Sequence, residues 1–308
     1  MRILITGANG MLAQAVKDKF EKENELILTD SKELDITDLD LVIEKVAEIK
    51  PELIINCAAY TNVDGAEENE AICEKVNAEG PTNLAIAAKK VDAVLVHVST
   101  DYVFGGMKPV TEDYKEDDEK APESVYGRTK LAGEEGIIKN TDKYYIFRTA
   151  WLYGEGKNFV RTMLAVGKTH DEVTVVSDQH GSPTYTEDLT NFIYEAVMKQ
   201  IPFGVYNATD DGYTTWFEFT KKIYELAGLT TKVNETSTEE YMKNAKQPVA
   251  KRPLNSKMSK DKLKNAGIYV PKWEESLEKY LEKEGELKKW KTVRELSSPE
   301  APELDYTH

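Results

Sequence analysis

Residues 124–135 read SVYGRTKLAGEE and place Tyr126 four positions before Lys130. Residues four apart share one face of an α-helix, so a phenol and an ammonium at this spacing can address one ligand. A free phenol titrates near pH ~10, too high for acid–base work at neutrality, and an ammonium beside it would stabilise the phenolate. With 16 tyrosines in the chain, one such pair is expected by chance, so its neighbours in the sequence decide its meaning. In HVSTDYVFGG, Ser99 and Thr100 end a β-branched run, where a hydroxyl would meet a ligand at a strand's C-terminal edge and hold a carbonyl oxygen. In ITGANGMLAQAV, Gly7 and Gly10 suit a tight turn and a close approach of backbone to a pyrophosphate, which would sit on the N-terminus of the following helix. Ala13 stands where a third glycine is common, so the strict fingerprint is not met, but the loop lies between a strand and a helix, as the motif requires. Asp30, 20 residues after Gly10, ends the second apolar run. An acid there accepts bonds from an adenosine ribose and disfavours a 2′-phosphate, pointing to NAD over NADP, while Lys32 offers that phosphate a partner.

These groups need elements to carry them. RILIT (2–6), ELILTD (25–30), LIINCA (53–58), VLVHVST (94–100) and YYIFRT (144–149) are almost continuously apolar, as strands buried on both faces must be. The intervals 11–22, 38–49, 67–89 and 124–138 carry helix patterns. Strand and helix in alternation predict an α/β fold, a doubly wound parallel Rossmann sheet over residues 1–150. After Trp151 the alternation loosens, and EVTVVSDQHGSPTYTEDLTNFIYEAVMK and VYNATDDGYTTWFEFTKKIYELAG each read as strand, loop, helix. Residues 151–284 are expected to form a smaller mixed α/β substrate-binding region, with some exchange of segments between the two. Short helices are expected in STEEYMKNAK and SKDKLKNAG, and residues 285–308 are read as a C-terminal helix fraying into a tail.

The 308 residues carry 55 acidic and 40 basic side chains, a formal charge of −15, which repels polyanions and makes nucleic acid an unexpected partner. Phosphates of a ligand must then be held by backbone N–H groups and a few local cations. Cys57 and Cys73 are the only cysteines and stand in no metal-ligand spacing with the four histidines, so they read as reduced thiols. His97 lies inside a predicted strand and reads as packing. No leader sequence or membrane-spanning run is evident, and a cytoplasmic chain is expected. The acidic run EDYKEDDEKAPE (112–123) reads as a solvated loop bordering the site.

The glycine loop, the strand-end Ser-Thr and the Tyr-xxx-Lys occur in chain order. With them come LDITD (34–38), NCAAYTNVDGAE (56–67), VSTDYVF (98–104), VYGRTKLAGE (125–134), FRTAWLYG (147–154), DQHGSPTYTEDL (178–189) and RPLNS (252–256). On these segments the chain resembles the extended short-chain dehydrogenase/reductases across residues 1–284. The resemblance implies reduction of the C4 ketone of a dTDP-sugar, dTDP-4-dehydro-L-rhamnose, by NADH or NADPH. It implies cofactor contacts at Gly10, Met11 and Leu12, at Asp30, at Asp35 and Ile36 beside the adenine, and at Ala59, Tyr60 and Thr61. Thr100, Tyr126 and Lys130 would be the catalytic set, the last two also touching the cofactor. Asp101 and Trp151 would lie against the sugar, and Gln179, Arg252 and Asn255 would complete the substrate site. In the better known of the members that this chain resembles most, a glutamate in the first helix helps a magnesium ion bridge a dimer. Ala15 occupies that position here, so no structural metal and a monomer or weak homodimer are expected. A dehydratase of the same family needs an Asp-Glu pair after the Thr, and Thr100-Asp101-Tyr102 lacks the second carboxylate. A related 4-epimerase, or a non-catalytic subunit resembling the regulatory partner of methionine adenosyltransferase, stays open on the residues alone.

Overall fold

The computed structural model describes residues 1–245 and 249–288. Six parallel strands form the main sheet: β1 (Arg2–Thr6), β2 (Glu25–Thr29), β3 (Leu53–Asn56), β4 (Val94–Thr100), β5 (Tyr144–Thr149) and Gly204–Asn207. Their spatial order is Gly204–Asn207, β5, β4, β3, β1, β2, so the sheet is wound outward in both directions from the β1–β3 pair. In such sheets ligands bind outside the strand C-termini at this reversal. The five strands expected before residue 150 are present, and the sixth comes from beyond it.

The near-continuous apolar runs are explained by helices on both faces. Ile3 and Ile5 of β1 point to one core, against Leu12, Val16 and Phe20 of helix α1 (Met11–Phe20) and Leu189, Phe192 and Ile193 of helix Thr186–Lys199. Leu4, between them, points to the opposite core with Val42 and Val46 of helix α2 (Leu39–Ile49) and Leu84 and Ala88 of helix Gly80–Val91. Each of the larger side chains here, fully buried, contributes about 1.5–3 kcal/mol. A third core, built of Tyr153, Leu164, Phe219, Ile223, Trp273, Leu277 and Tyr280, lies among helices Phe159–Gly167, Trp216–Ala227 and Trp273–Lys283. Beside it, Glu172–Val176 and Lys232–Thr236 pair as parallel strands.

Two expectations are corrected. The single helix foreseen over 67–89 is a series of short turns, Val63–Ala66 and Glu70–Glu74, then a π-helical turn Lys75–Glu79 that leads into Gly80–Val91. Pro81 lies at the start of that last helix with no N–H to give the preceding turn, and the wide π-helical turn before it accommodates the break in the ladder. The acidic run 112–123 is not wholly solvated, since Tyr114 and Glu116 are buried and Asn207 N donates to Glu116 Oε1 at 3.0 Å. The short helices expected in STEEYMKNAK and SKDKLKNAG occupy Thr238–Asn244 and Asp261–Asn265. Most of the expected C-terminal helix and tail, from residue 289, lies outside the described residues.

Candidate active site

A cleft of about 820 Å³ runs along the C-terminal edge of the sheet, from the β1 glycine loop to Trp151 and Trp216. At one end, Gly7 has φ +69°, and a Cβ on it would meet Ala58 N at 2.6 Å. The turn after β1 and the turn after β3 therefore touch backbone to backbone, a contact only glycine permits. Gly10 precedes helix α1 and gives it no side-chain cap, so the first N–H groups of the helix are free of intrahelical partners where Met11 and Leu12 line the cleft, as an anion site requires. Asp30 is held at the end of β2 by bonds from Lys32 N (2.8 Å) and Asn9 Nδ2 (3.1 Å). The Lys32 backbone bond leads the causes that keep its carboxyl below the usual range. Asp35, Ile36, Ala59 and Thr61 line the next stretch, and Tyr60 is fixed through its backbone: its N–H donates to Asn77 Oδ1 at 2.8 Å, and Asn77 Nδ2 donates to its carbonyl at 3.1 Å. Asn77 sits on the π-helical turn, buried, and no sequence motif marks it.

Midway, the ends of β4 and of helix Val125–Asn140 converge. Ser124 caps that helix by accepting from Gly127 N at 3.1 Å, and a Cβ on Gly127 would meet Tyr102 O at 2.6 Å, so the helix packs directly on the turn after Thr100. Thr100, Asp101, Tyr126 and Lys130 are thereby brought to one wall of the cleft. Thr100 Oγ1 donates to Asp101 Oδ1 at 2.9 Å, and Ser256 Oγ donates to Asp101 Oδ2. No cation pairs with Asp101 among the described residues, and burial pushes its carboxyl up to about 6. The Tyr126 phenol is raised above its ordinary value, first by burial and next by the negative charge of Asp101, while the Thr100 hydroxyl acts in the opposite direction. Tyr102 meets it edge-on, with ring centroids 5.4 Å apart.

Lys130 is only 2% exposed, and burial lowers its ammonium to about 8. Its Nζ donates to Val98 O at 2.6 Å and lies 3.2 Å from His97 Nε2. His97, expected only to pack, therefore touches the predicted catalytic lysine. The lysine is absent from the groups that perturb the Tyr126 phenol, which answers to Asp101 and Thr100.

At the far end Trp151 adopts φ 49°, a left-handed conformation costing a bulky residue of order 1–3 kcal/mol. It stacks on Trp216 with centroids 3.9 Å apart. Trp216 Nε1 donates to Gln179 Oε1 at 3.1 Å, so Gln179 steers the platform from behind and does not itself line the cleft. Arg252 also stands off the cleft wall, paired with Asp64 at 2.9 Å. Asn255 spends its amide on the carbonyls of Lys108, Pro109 and Glu112 at 2.9–3.3 Å, tying the loop after Phe104 to RPLNS. Trp216 and Lys157, which line the cleft, had no motif to announce them.

The glycine cradle, the uncapped helix and the acid after β2 fit a dinucleotide. So do Ser99 Oγ and Thr149 Oγ1, both in cleft-lining residues, which are buried with no partner among the described residues. No helix among the described residues is long and apolar enough to cross a membrane.

A family model described as "RmlD substrate binding domain" matches residues 1–285. The spore coat polysaccharide biosynthesis protein SpsK of Bacillus subtilis (strain 168) is 38% identical over 285 residues, 91% of this chain and 97% of that protein. A crystal structure of a dTDP-4-dehydrorhamnose reductase from Clostridium acetobutylicum superposes with a TM-score of 0.88 at 43% identity, covering 92% of this chain and 100% of that one. The dTDP-4-dehydrorhamnose reductase of Bacillus anthracis, solved in complex with NADP, gives 0.86 at 41% identity over 92% and 99%.

Proposed function

Since the chain belongs to the family of the RmlD substrate binding domain, we propose that it reduces the C4 ketone of dTDP-4-dehydro-L-rhamnose to dTDP-L-rhamnose. The observation that carries the reading is one cleft with the glycine cradle at one end, Thr100, Asp101, Tyr126 and Lys130 at its middle, and the Trp151–Trp216 stack at the other. NADH or NADPH, when bound, supplies the hydride. Gly7, Gly10, Met11 and Leu12 would hold its pyrophosphate, Asp30 the adenosine ribose, and Asp35, Ile36, Ala59, Tyr60 and Thr61 the adenine side of the cleft. The half-buried Asp30 favours NADH, whereas the NADP complex of the Bacillus anthracis relative favours NADPH, and both are retained as donors.

Tyr126 is the proton donor. Its phenol stays protonated at neutral pH because burial and Asp101 both oppose the phenolate. The alkoxide forming at C4 is far more basic than a phenolate, so proton transfer runs downhill as hydride arrives. Thr100 turns its hydroxyl from Asp101 to the ketone oxygen, and Lys130 holds the nicotinamide ribose. Trp151, stacked on Trp216, which Gln179 holds from behind, would flank the sugar, with Asn255 and Arg252 fixing the neighbouring loops. Tyr102 is no carboxylate, which leaves out elimination of water as in a dehydratase. The chain is assigned to the cytoplasm as a monomer or weak homodimer, Ala15 offering no carboxylate for a metal bridge.

Purified protein supplied with dTDP-4-dehydro-L-rhamnose should consume the absorbance of NADPH or NADH, and no consumption with either would overturn the reading. Tyr126→Phe should lower kcat at least about a hundredfold while dinucleotide Kd stays within about twofold. An unchanged kcat would remove Tyr126 from the chemistry.

A further inference from the structure

Behind the Tyr-xxx-Lys wall lies a row of buried polar groups that the proposed reaction does not use. Asn56, at the end of β3, accepts at Oδ1 from Ala58 N (3.1 Å) and from Thr6 Oγ1 (2.7 Å). The backbone N–H can only donate, so the amide oxygen is fixed on that side. The opposite end, Nδ2, lies 3.0 Å from His97 Nδ1 and must be the donor of that contact. His97 Nδ1 is therefore bare. The ring is 0% exposed, and burial followed by the nearby Lys130 charge drives its imidazolium well below the ordinary range. A neutral imidazole has one N–H, which leaves it on Nε2, facing Lys130 Nζ at 3.2 Å.

This order has one consistent end. If Lys130 is an ammonium, two N–H groups confront each other across 3.2 Å. If the imidazole changes tautomer to relieve that, its new Nδ1–H confronts Asn56 Nδ2. Only an uncharged amine, accepting from Nε2–H and donating to Val98 O at 2.6 Å, leaves no donor facing a donor. The other groups facing Lys130 do not offset this. Glu134, on the same helix, is held by Arg148 through three bonds of 2.6–3.2 Å. Cys73, from the turn Glu70–Glu74, is a thiol bonded to Thr129 at 3.2 Å, and burial leads the causes that raise its pKa. Tyr126 is a neutral phenol, and Asp101 acts on it and not on the lysine.

We propose that His97 is a positioning residue for the reductase: by directing Nε2–H at Lys130 it opposes a proton on that amine, so that dinucleotide binding draws a proton from solvent onto Nζ. The second half rests on the reading that Lys130 meets the dinucleotide ribose, whose hydroxyl oxygens accept from an ammonium. The wire ends at Asn56, because a carboxamide does not readily pass a proton, so His97 sets the charge of Lys130 and relays nothing.

The full chain, labelled with 15N-histidine and free of cofactor, tests the first half. A long-range 1H–15N spectrum, with His97 assigned by loss of its signals in His97→Leu, should show a bare Nδ1 and a protonated Nε2 from about pH 6 to about pH 9. An Nδ1–H tautomer, or titration near the ordinary histidine value, overturns the proposal. Calorimetric titration of NADPH in two buffers of different ionisation enthalpy tests the second. The wild-type chain should take up close to one proton per site near pH ~9 and little near pH ~6.5, with the midpoint moved up by about one pH unit in His97→Leu. Coincident uptake curves overturn it. Asn56→Asp guards against a misfolded His97→Leu: its carboxylate accepts from Nδ1–H, imposes the other tautomer in the spectrum and moves the midpoint the same way, and a spectrum unchanged from wild type overturns the assignment. Neither readout needs the ketone. Proton uptake without turnover counts against the reductase reading alone, and turnover without uptake counts against this one alone.

Discussion

Asp101→Asn should make the protein more stable at neutral pH, and the size of the gain follows from the site. The carboxylate is 3% exposed, accepts from Thr100 and Ser256, and is in no ion pair among the described residues. Its pKa rises from 3.8 to about 6 on folding. Between those values the native state binds more protons than the unfolded state, so stability is intact below about pH 4 and is lost as pH rises toward about 6. A carboxyl raised by about two pH units on folding costs about 3 kcal/mol once the pH exceeds ~6. Asparagine has no charge to bury, keeps an oxygen for the Thr100 hydroxyl, and offers an amide to the Ser256 oxygen. The variant should therefore match wild type near pH ~4 and exceed it by about 3 kcal/mol near pH ~7.5, a rise in Tm of about 5 °C for a chain of this size. Thermal unfolding at both pH values reads the difference directly. A pH-independent offset, or a variant less stable at neutral pH, would refute the claim that Asp101 is a buried, uncompensated charge. Loss of that charge also removes a brake on ionisation of Tyr126, which makes the phenol a stronger acid, so any fall in kcat would have to come from the altered Thr100 and Ser256 contacts, while dinucleotide Kd should hold.

Gly7→Ala must place a Cβ 2.6 Å from Ala58 N at φ +69°, and should cost about 2–4 kcal/mol of stability and weaken NADPH binding at least about tenfold by calorimetry. Glu134→Gln leaves the Arg148 guanidinium, 2% exposed, without its carboxylate; urea unfolding should show a loss of about 3–5 kcal/mol, recovered in large part by Arg148→Met combined with Glu134→Leu. Trp216→Ala removes the stack behind Trp151, so KM for the sugar nucleotide should rise about tenfold with NADPH Kd unchanged; a selective loss of NADPH binding would place Trp216 at the wrong end of the cleft.

The parts legible in the sequence were those governed by local rules. Five apolar runs marked β1 to β5 because strands covered on both faces admit no polar alternation, and Gly7 was visible because a left-handed turn touching another backbone tolerates little else. The spacing of Tyr126 and Lys130 on one helical turn follows from ~3.6 residues per turn, and Thr100 and Asp30 from standing at strand ends. Contacts between elements distant in sequence carry no such mark. That Asn77 holds Tyr60, that Trp216 and Gln179 brace Trp151, and that Arg252 is taken by Asp64 depends on how helices and loops from several parts of the chain pack together. The tyrosine and lysine were determined by the sequence as a pair. Their charges were decided by the tertiary structure: burial and Asp101 keep the phenol protonated, and β3 and β4 lying side by side line up Asn56, His97 and Lys130, because a pKa answers to desolvation and near neighbours in space.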